Sequence, residues 1–203
     1  MENEILFRVA LLVMAIGYIA PRFYYRSRAR RADPKSQAIL KGATESRVRL
    51  ALMGISGLGT HLLNIVWFVN PMWMSWSRLP LPDWPRWLGI AVGLATVWLG
   101  YLAHRTLGIS FTPTLKIGES RQLVTQGIYR CMRHPMYTSF FAYLAASFLL
   151  TANWFIGVLG LVYSLLILER VGHEERMMLD TFGEEYRQYM RRTGRFLPRL
   201  IRR

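Results

Sequence analysis

Apolar residues gather into long runs along the chain, and charged residues collect between them. The first run is Ile5 to Tyr25, interrupted only by Arg8 and Arg22. The second is Leu50 to Trp76, which holds His61 and Asn64, and the third is Trp84 to Tyr101, with Arg86 at its entry. Crossing ~30 Å of hydrocarbon takes roughly 20 apolar residues in a helix, so these three runs are long enough to span. Two shorter runs follow, Tyr137 to Thr151 and Trp154 to Leu168. Asn153 between them reads as a tight turn. Residues 137–168 are therefore predicted to form a helical hairpin whose two arms just span, or nearly span. The pattern predicts an all-α polytopic membrane protein with about five transmembrane helices and a C-terminal helix outside the membrane. It divides into an N-terminal membrane region, 1–104, and a region of polar motifs, 105–203.

Composition narrows this further. At 52% hydrophobic the chain is too apolar for intrinsic disorder. A single cysteine, Cys131, excludes a disulfide scaffold and a cysteine-based zinc site. The net charge of +14 would by itself point to nucleic acid or an acidic surface. Its distribution argues against nucleic acid. The 26–49 loop carries Arg26, Arg28, Arg30, Arg31, Lys35, Lys41, Arg47 and Arg49, and the segment from 169 onward holds nine arginines. The 77–83 loop has only Arg78, and the 151–153 turn has no charge. Positive charge stays on the cytoplasmic side, so five spans with the N-terminus outside place every basic segment in the cytosol. The acidic start, Met1-Glu2-Asn3-Glu4, favours a retained anchor over a cleaved signal. The expected arrangement is an integral membrane protein with its basic segments facing the cytosol. Its basic face would meet anionic lipids, which is the ordinary reading of the 26–49 loop.

Candidate chemistry lies in the last hundred residues. The stretch from Leu123 to Tyr137 is the densest polar segment beside a span. Gly127 reads as a turn residue. Pro135 suits the first turn of the fourth helix, where a missing N–H costs nothing, and this puts Arg133 and His134 at the helix start. Free N–H groups there, with Arg130 and Arg133, would form an anion site for a carboxylate or phosphate. A lipid headgroup suits the same groups equally well. The second constellation is Glu169, Arg170, His173, Glu174, Glu175 and Arg176. A carboxylate there would serve a cationic cofactor, although on spacing alone a solvated helix face is the commoner case. Met178, Phe182, Tyr186 and Tyr189 form an apolar stripe on the same helix, and Arg195 to Pro198 is expected to tuck back toward the spans. His61 and Asn64, one turn apart inside the second run, suit either a functional site or an interhelical hydrogen bond. The four histidines lack metal-binding spacing, so no metal is expected. Phosphate-binding glycine loops and a nucleophile elbow are absent from the sequence.

The order of these motifs resembles the isoprenylcysteine carboxyl methyltransferase family, in a short, five-span form of prokaryotic type. The matching residues are Leu123-Val124-Thr125, Gly127 and Tyr129, then Arg133-His134-Pro135 and Tyr137. Next comes an apolar hairpin turning at Asn153-Trp154. Arg170, Glu174-Glu175, Phe182 to Tyr186, Tyr189 and Pro198 complete the set. The resemblance is strong over roughly 105–200 and only topological before that. It implies a membrane methyltransferase that uses S-adenosylmethionine. Lys116, Arg121, Gln122, Leu123, Val124 and Tyr129 would line the cofactor from the loop side. His134, Pro135, Met136 and Tyr137 would hold it at the fourth helix, and Glu174 would close the pocket. Arg170 would face the acceptor as the catalytic residue. Arg121 stands where the family has a histidine.

The expected reaction is methyl transfer to the carboxylate of an isoprenylcysteine or similar lipophilic acceptor arriving from the bilayer. A carboxylate is already ionised at neutral pH, so the reaction needs no general base. Three alternatives remain at the level of sequence. One keeps the cofactor but methylates a phospholipid or a small thiol, another is a nicotinamide-dependent reductase of sterol type, and the last is a non-enzymatic membrane protein binding anionic lipids.

Overall fold

The computed structural model describes residues 3–32, 47–108 and 123–199. Among these residues the fold is entirely helical and polytopic. Five long helices follow one another: α1 (Glu4–Ala32), α2 (Arg47–Val69), α3 (Asp83–Leu107), α4 (Pro135–Thr151) and α5 (Trp154–Arg192). Four of them, all but α4, are long and apolar enough to cross a membrane. At 17 residues α4 covers about 25 Å, slightly less than the hydrocarbon thickness. It pairs with the start of α5 as the expected hairpin.

The boundaries follow from local chemistry. Asn153 caps α5, its Oδ1 accepting from the N–H groups of Phe155 and Ile156 at 3.1 Å each. The same side chain donates from Nδ2 to Ser77 Oγ at 2.7 Å, which anchors the hairpin turn to the α2–α3 connection. The second apolar run does not continue as helix to Trp76. It stops at Val69 because Asn70-Pro71 follows. Proline bars the preceding turn, and Asn70 Oδ1 caps a separate 3₁₀ segment, Pro71–Ser77, by accepting from Met72 N at 3.0 Å.

The last span and the C-terminal helix are one element. α5 has 39 residues, about 58 Å, so its apolar first half fills the membrane and the charged part from Glu169 onward projects beyond it. A kink at Gly183, where φ is +52°, turns the projecting part, and only glycine adopts that angle without steric cost.

Packing is tightest between α3 and α4, and α2 lies along α5. The 104/105 boundary expected from sequence falls in the last turn of α3. Exposed Leu, Ile, Val and Trp side chains cover the outer faces of the bundle, where lipid is the solvent. The interior holds buried polar groups that meet each other. Ser147 Oγ on α4 donates to Asn64 Oδ1 on α2 at 2.7 Å, so Asn64 makes the interhelical bond. His61 faces the Tyr143 ring at 5.7 Å.

The end of the bundle that holds the start of α1 and the hairpin turn is closed by Arg86. Its guanidinium forms a two-pronged ion pair with Glu4 at 2.9 and 3.0 Å, and its Nε donates to Leu150 O at 3.0 Å. The same group lies 4.0 Å from the Phe7 ring centroid.

Candidate functional site

At the other end, the chain enters α4 through a turn that the sequence largely specifies. Gly127 takes φ +56° in the left-handed region and opens a short 3₁₀ segment, Gly127–Arg130. His134 is the N-cap of α4 and Pro135 is its first residue. The segment from Cys131 to His134 lies against the C-terminal tail. Arg133 N donates to Gly194 O at 2.9 Å, His134 N to Arg195 O at 3.1 Å, and Gly194 N to Cys131 O at 3.1 Å. Thr138 Oγ1 adds a 2.7 Å bond to Phe196 O, and the Phe196 ring sits 5.9 Å from that of His134. Arg195 to Pro198 thus tucks back toward the spans.

The projecting part of α5 closes the remaining side. Glu174 and Glu175 are adjacent, about 100° apart on the helix, and reach different partners. Tyr137 donates its hydroxyl to Glu174 Oε2 at 2.8 Å. The Arg170 side chain also interacts with the Tyr137 hydroxyl. Glu175 is only 9% exposed, and its Oε1 accepts from Arg133 Nε and faces His134 Nε2, both at 3.1 Å. Its Oε2 meets Arg195 Nη2 at 3.0 Å. Burial alone would raise the Glu175 carboxyl. The hydrogen bond and charge of His134, the bond from Arg133 and the Arg195 charge overcome it and pull the pKa down to about 2. Tyr129, within the 3₁₀ segment, is buried, and its carbonyl accepts from the Tyr189 hydroxyl at 2.7 Å. Burial, and then the nearby Glu174 charge, push its phenol well above the ordinary range.

The residues expected to form a site therefore divide into three sets. Tyr129, His134, Pro135, Met136, Tyr137, Arg170 and Glu174 come together around the start of α4. Leu123 and Val124 are half-buried residues of the irregular segment leading to this turn. Lys116, Arg121 and Gln122 lie outside the described residues. The anion site imagined at Arg133 does not form in that way. The Arg133 guanidinium is turned inward, pairing with Glu175 and donating from Nη1 to Thr193 O at 2.6 Å and Met190 O at 3.2 Å. It satisfies the last carbonyls of α5, which helix geometry leaves without partners. The N–H groups of Arg133 and His134 are likewise occupied by the tail.

Sequence reading missed Glu175 and Arg195 as members of this cluster. The Glu174-Glu175 pair was visible, but only the docking of α5 on α4 reveals that its two members face different groups.

The cluster lies at one end of a helical membrane bundle, and most of it falls in a stretch that matches a known family. Residues 88–180 match the model of the isoprenylcysteine carboxyl methyltransferase (ICMT) family. The chain resembles that family over this stretch. A probable protein-S-isoprenylcysteine O-methyltransferase of Oryza sativa subsp. indica is 31% identical over 119 residues, covering 55% of this chain and 62% of the rice protein. The protein-S-isoprenylcysteine O-methyltransferase of Mus musculus is 30% identical over 141 residues, covering 61% of this chain and 48% of its own length. The matched part thus spans less than two thirds of these relatives. The solved eukaryotic intramembrane Ras methyltransferase ICMT superposes with a TM-score of 0.55 at 20% identity, over 93% of this chain and 67% of that one, a likeness of fold.

Proposed function

We propose that the protein is an S-adenosylmethionine-dependent membrane methyltransferase whose acceptor is the carboxylate of an isoprenylcysteine or a similar lipophilic acid. The observation that carries this reading is the juxtaposition of Glu174, Tyr137 and Arg170 at the start of α4, where the bundle meets its polar extension. The match of residues 88–180 to the model of a methyltransferase family supports it.

The pocket's donor set fits the cofactor. A sulfonium and an amino group are cationic and call for a carboxylate and an aromatic face, which Glu174, Tyr137 and Tyr129 provide. His134 is buried beside them, held by Glu175. Leu123, Val124, Pro135 and Met136 would complete the lining, with Lys116, Arg121 and Gln122 approaching from the loop. Bound there, S-adenosylmethionine would supply a methyl group that passes to a carboxylate oxygen while the C–S bonding pair stays on sulfur.

The chain's own work is positioning. Arg170 holds the acceptor carboxylate through a planar, two-pronged contact that lysine would not reproduce. Glu174 keeps Tyr137 oriented by the 2.8 Å bond. No residue needs to remove a proton, which favours a carboxylate over the amine or thiol acceptors of related scaffolds. The acceptor enters from the bilayer, and the pocket faces the cytosol of a prokaryotic cell, the side to which the arginine-rich segments assign it.

The test is transfer of labelled methyl from S-adenosylmethionine to a farnesylated cysteine analogue. The wild type is expected to transfer. Arg170→Ala should lose turnover while still binding cofactor, and Glu174→Ala should lose cofactor affinity. Full activity in both variants would overturn these roles. Binding of a nicotinamide cofactor in place of S-adenosylmethionine would overturn the reaction.

A further inference from the structure

Arg49 lies outside the 88–180 stretch that matches the family model, and although the sequence reading put it in the basic 26–49 loop, it belongs to α2. It sits in the first turn of α2, at the site end of the bundle. On α2, positions 49, 53, 56, 60, 64 and 67 recur at helical spacing, and Ser56, Thr60, Asn64 and Trp67 are all buried. Asn64 meets Ser147 of α4, and Gly57 abuts the Tyr163 ring of α5, so this face looks into the bundle. Arg49 continues it to the edge of the membrane.

The Arg49 side chain is 14% exposed. One arm is anchored, because Nη1 lies 3.3 Å from Glu169 Oε1, and Glu169 immediately precedes Arg170 on α5. The other two nitrogens, Nε and Nη2, are buried with no hydrogen-bond partner among the described residues. These two N–H groups point the same way along one edge of the guanidinium, the edge that grips a carboxylate or phosphate by two parallel bonds. A buried cation with two unpartnered N–H groups is costly and calls for an anionic guest.

We propose that Arg49 determines acceptor specificity by binding the acceptor's carboxylate end through its Nε/Nη2 edge, on the α2 side of Arg170. This rests on the carboxylate-methylating reading above and extends it to α2. Glu169 fixes the guanidinium, and the open edge selects an acidic lipid over its neutral ester or amide. The methyl ester product loses one of these bonds and the charge, which favours its departure.

The test uses the full chain in phosphatidylcholine nanodiscs and reads binding of a fluorescent farnesyl-cysteine carboxylate directly, without turnover. Arg49→Lys keeps the charge and removes the fork. Affinity for the acid should fall about tenfold or more, as expected for losing one charge-assisted bond, and Arg49→Ala should lose at least as much. Affinity for S-adenosylmethionine should stay at the wild-type value, which also shows that the variants are folded, and affinity for the methyl ester should fall less than that for the acid. Equal acid binding by wild type and Arg49→Lys would overturn the role of Arg49. A defect seen only with phosphatidylglycerol present would assign the fork to a lipid headgroup and overturn it too. A wild type that binds the acid but transfers no methyl would sink the proposed reaction and leave the Arg49 comparison readable.

Discussion

Two buried arginines hold the two ends of this bundle, and they do so by the same device in different company. Arg86 grips Glu4 with both arms and donates to Leu150 O near the end of α4. Arg133 pairs with Glu175 and donates to Met190 O and Thr193 O at the end of α5. Each gives unpaired helix carbonyls a cationic donor and balances its charge with one glutamate. The difference lies in the glutamate. Glu4 serves Arg86 and nothing else in its described contacts, so that end works as a bolt. Glu175 also holds His134 and Arg195, and its sequence neighbour Glu174 holds Tyr137. The same structural motif is thus wired into the proposed cofactor pocket at one end only.

The sharpest way to break this comparison is to neutralise both glutamate clusters. Glu175→Gln removes the balancing charge from Arg133 and Arg195 and weakens the contact with His134, and breaking a buried pair of this kind costs about 3–5 kcal/mol. Stability should fall by that order, and S-adenosylmethionine affinity should fall with it, because His134 loses its anchor. Calorimetric titration alongside thermal melting checks both, and an unaltered cofactor affinity would separate Glu175 from the pocket. The effect also has a pH signature. The Glu175 pKa is lowered to about 2 in the fold, so its contribution is full above the ordinary glutamate value and is lost as pH falls toward 2. Wild type should therefore lose thermal stability steeply on acidification from about pH 5 to pH 3, and Glu175→Gln should lose less.

Arg86→Met should destabilise the protein by a similar or smaller amount, at most about 3–5 kcal/mol, with Glu4 left unpaired but partly open to solvent. Here cofactor affinity and the acceptor KM should stay unchanged in the folded fraction. A changed KM would show that the two ends communicate. The smallest effect is expected at Ser147→Ala, midway between them. Removing its bond to Asn64 should cost about 0.6–1.7 kcal/mol, the range seen for interhelical hydrogen bonds in bilayers, and leave activity intact. Unfolding in mixed micelles would measure it.

Legibility from sequence follows the range of the forces involved. The spans were readable because bilayer thickness imposes a length on every apolar run, and Ile5 to Tyr25 meets it whatever its neighbours are. Asn153 and Pro135 were readable as a turn and a helix start because their effects are local to the backbone. The end of the second helix at Val69 followed equally local chemistry in Asn70-Pro71, but the hydrophobic run masked it by continuing to Trp76. Arg133 misled the reading for a different reason. A charged residue at a helix start suits an anion, but its actual partners, Glu175, Met190 and Thr193, lie about 40 to 60 residues away.

The sequence by itself determined a helical membrane bundle, the gathering of basic residues between its apolar runs, and a motif order that resembles a known family. Hydrophobic length, turn chemistry and residue order need no knowledge of distant contacts. Only the tertiary structure decided that α5 runs unbroken past the membrane and docks on the start of α4, and that the tail lies along residues 131–134. It also decided how the charged groups divide. Glu174 goes to Tyr137, Glu175 to Arg133, His134 and Arg195, and Arg49 to Glu169 with its Nε and Nη2 buried without a partner among the described residues. Those assignments depend on which helix faces which, and a charge finds its partner only across the space that packing leaves.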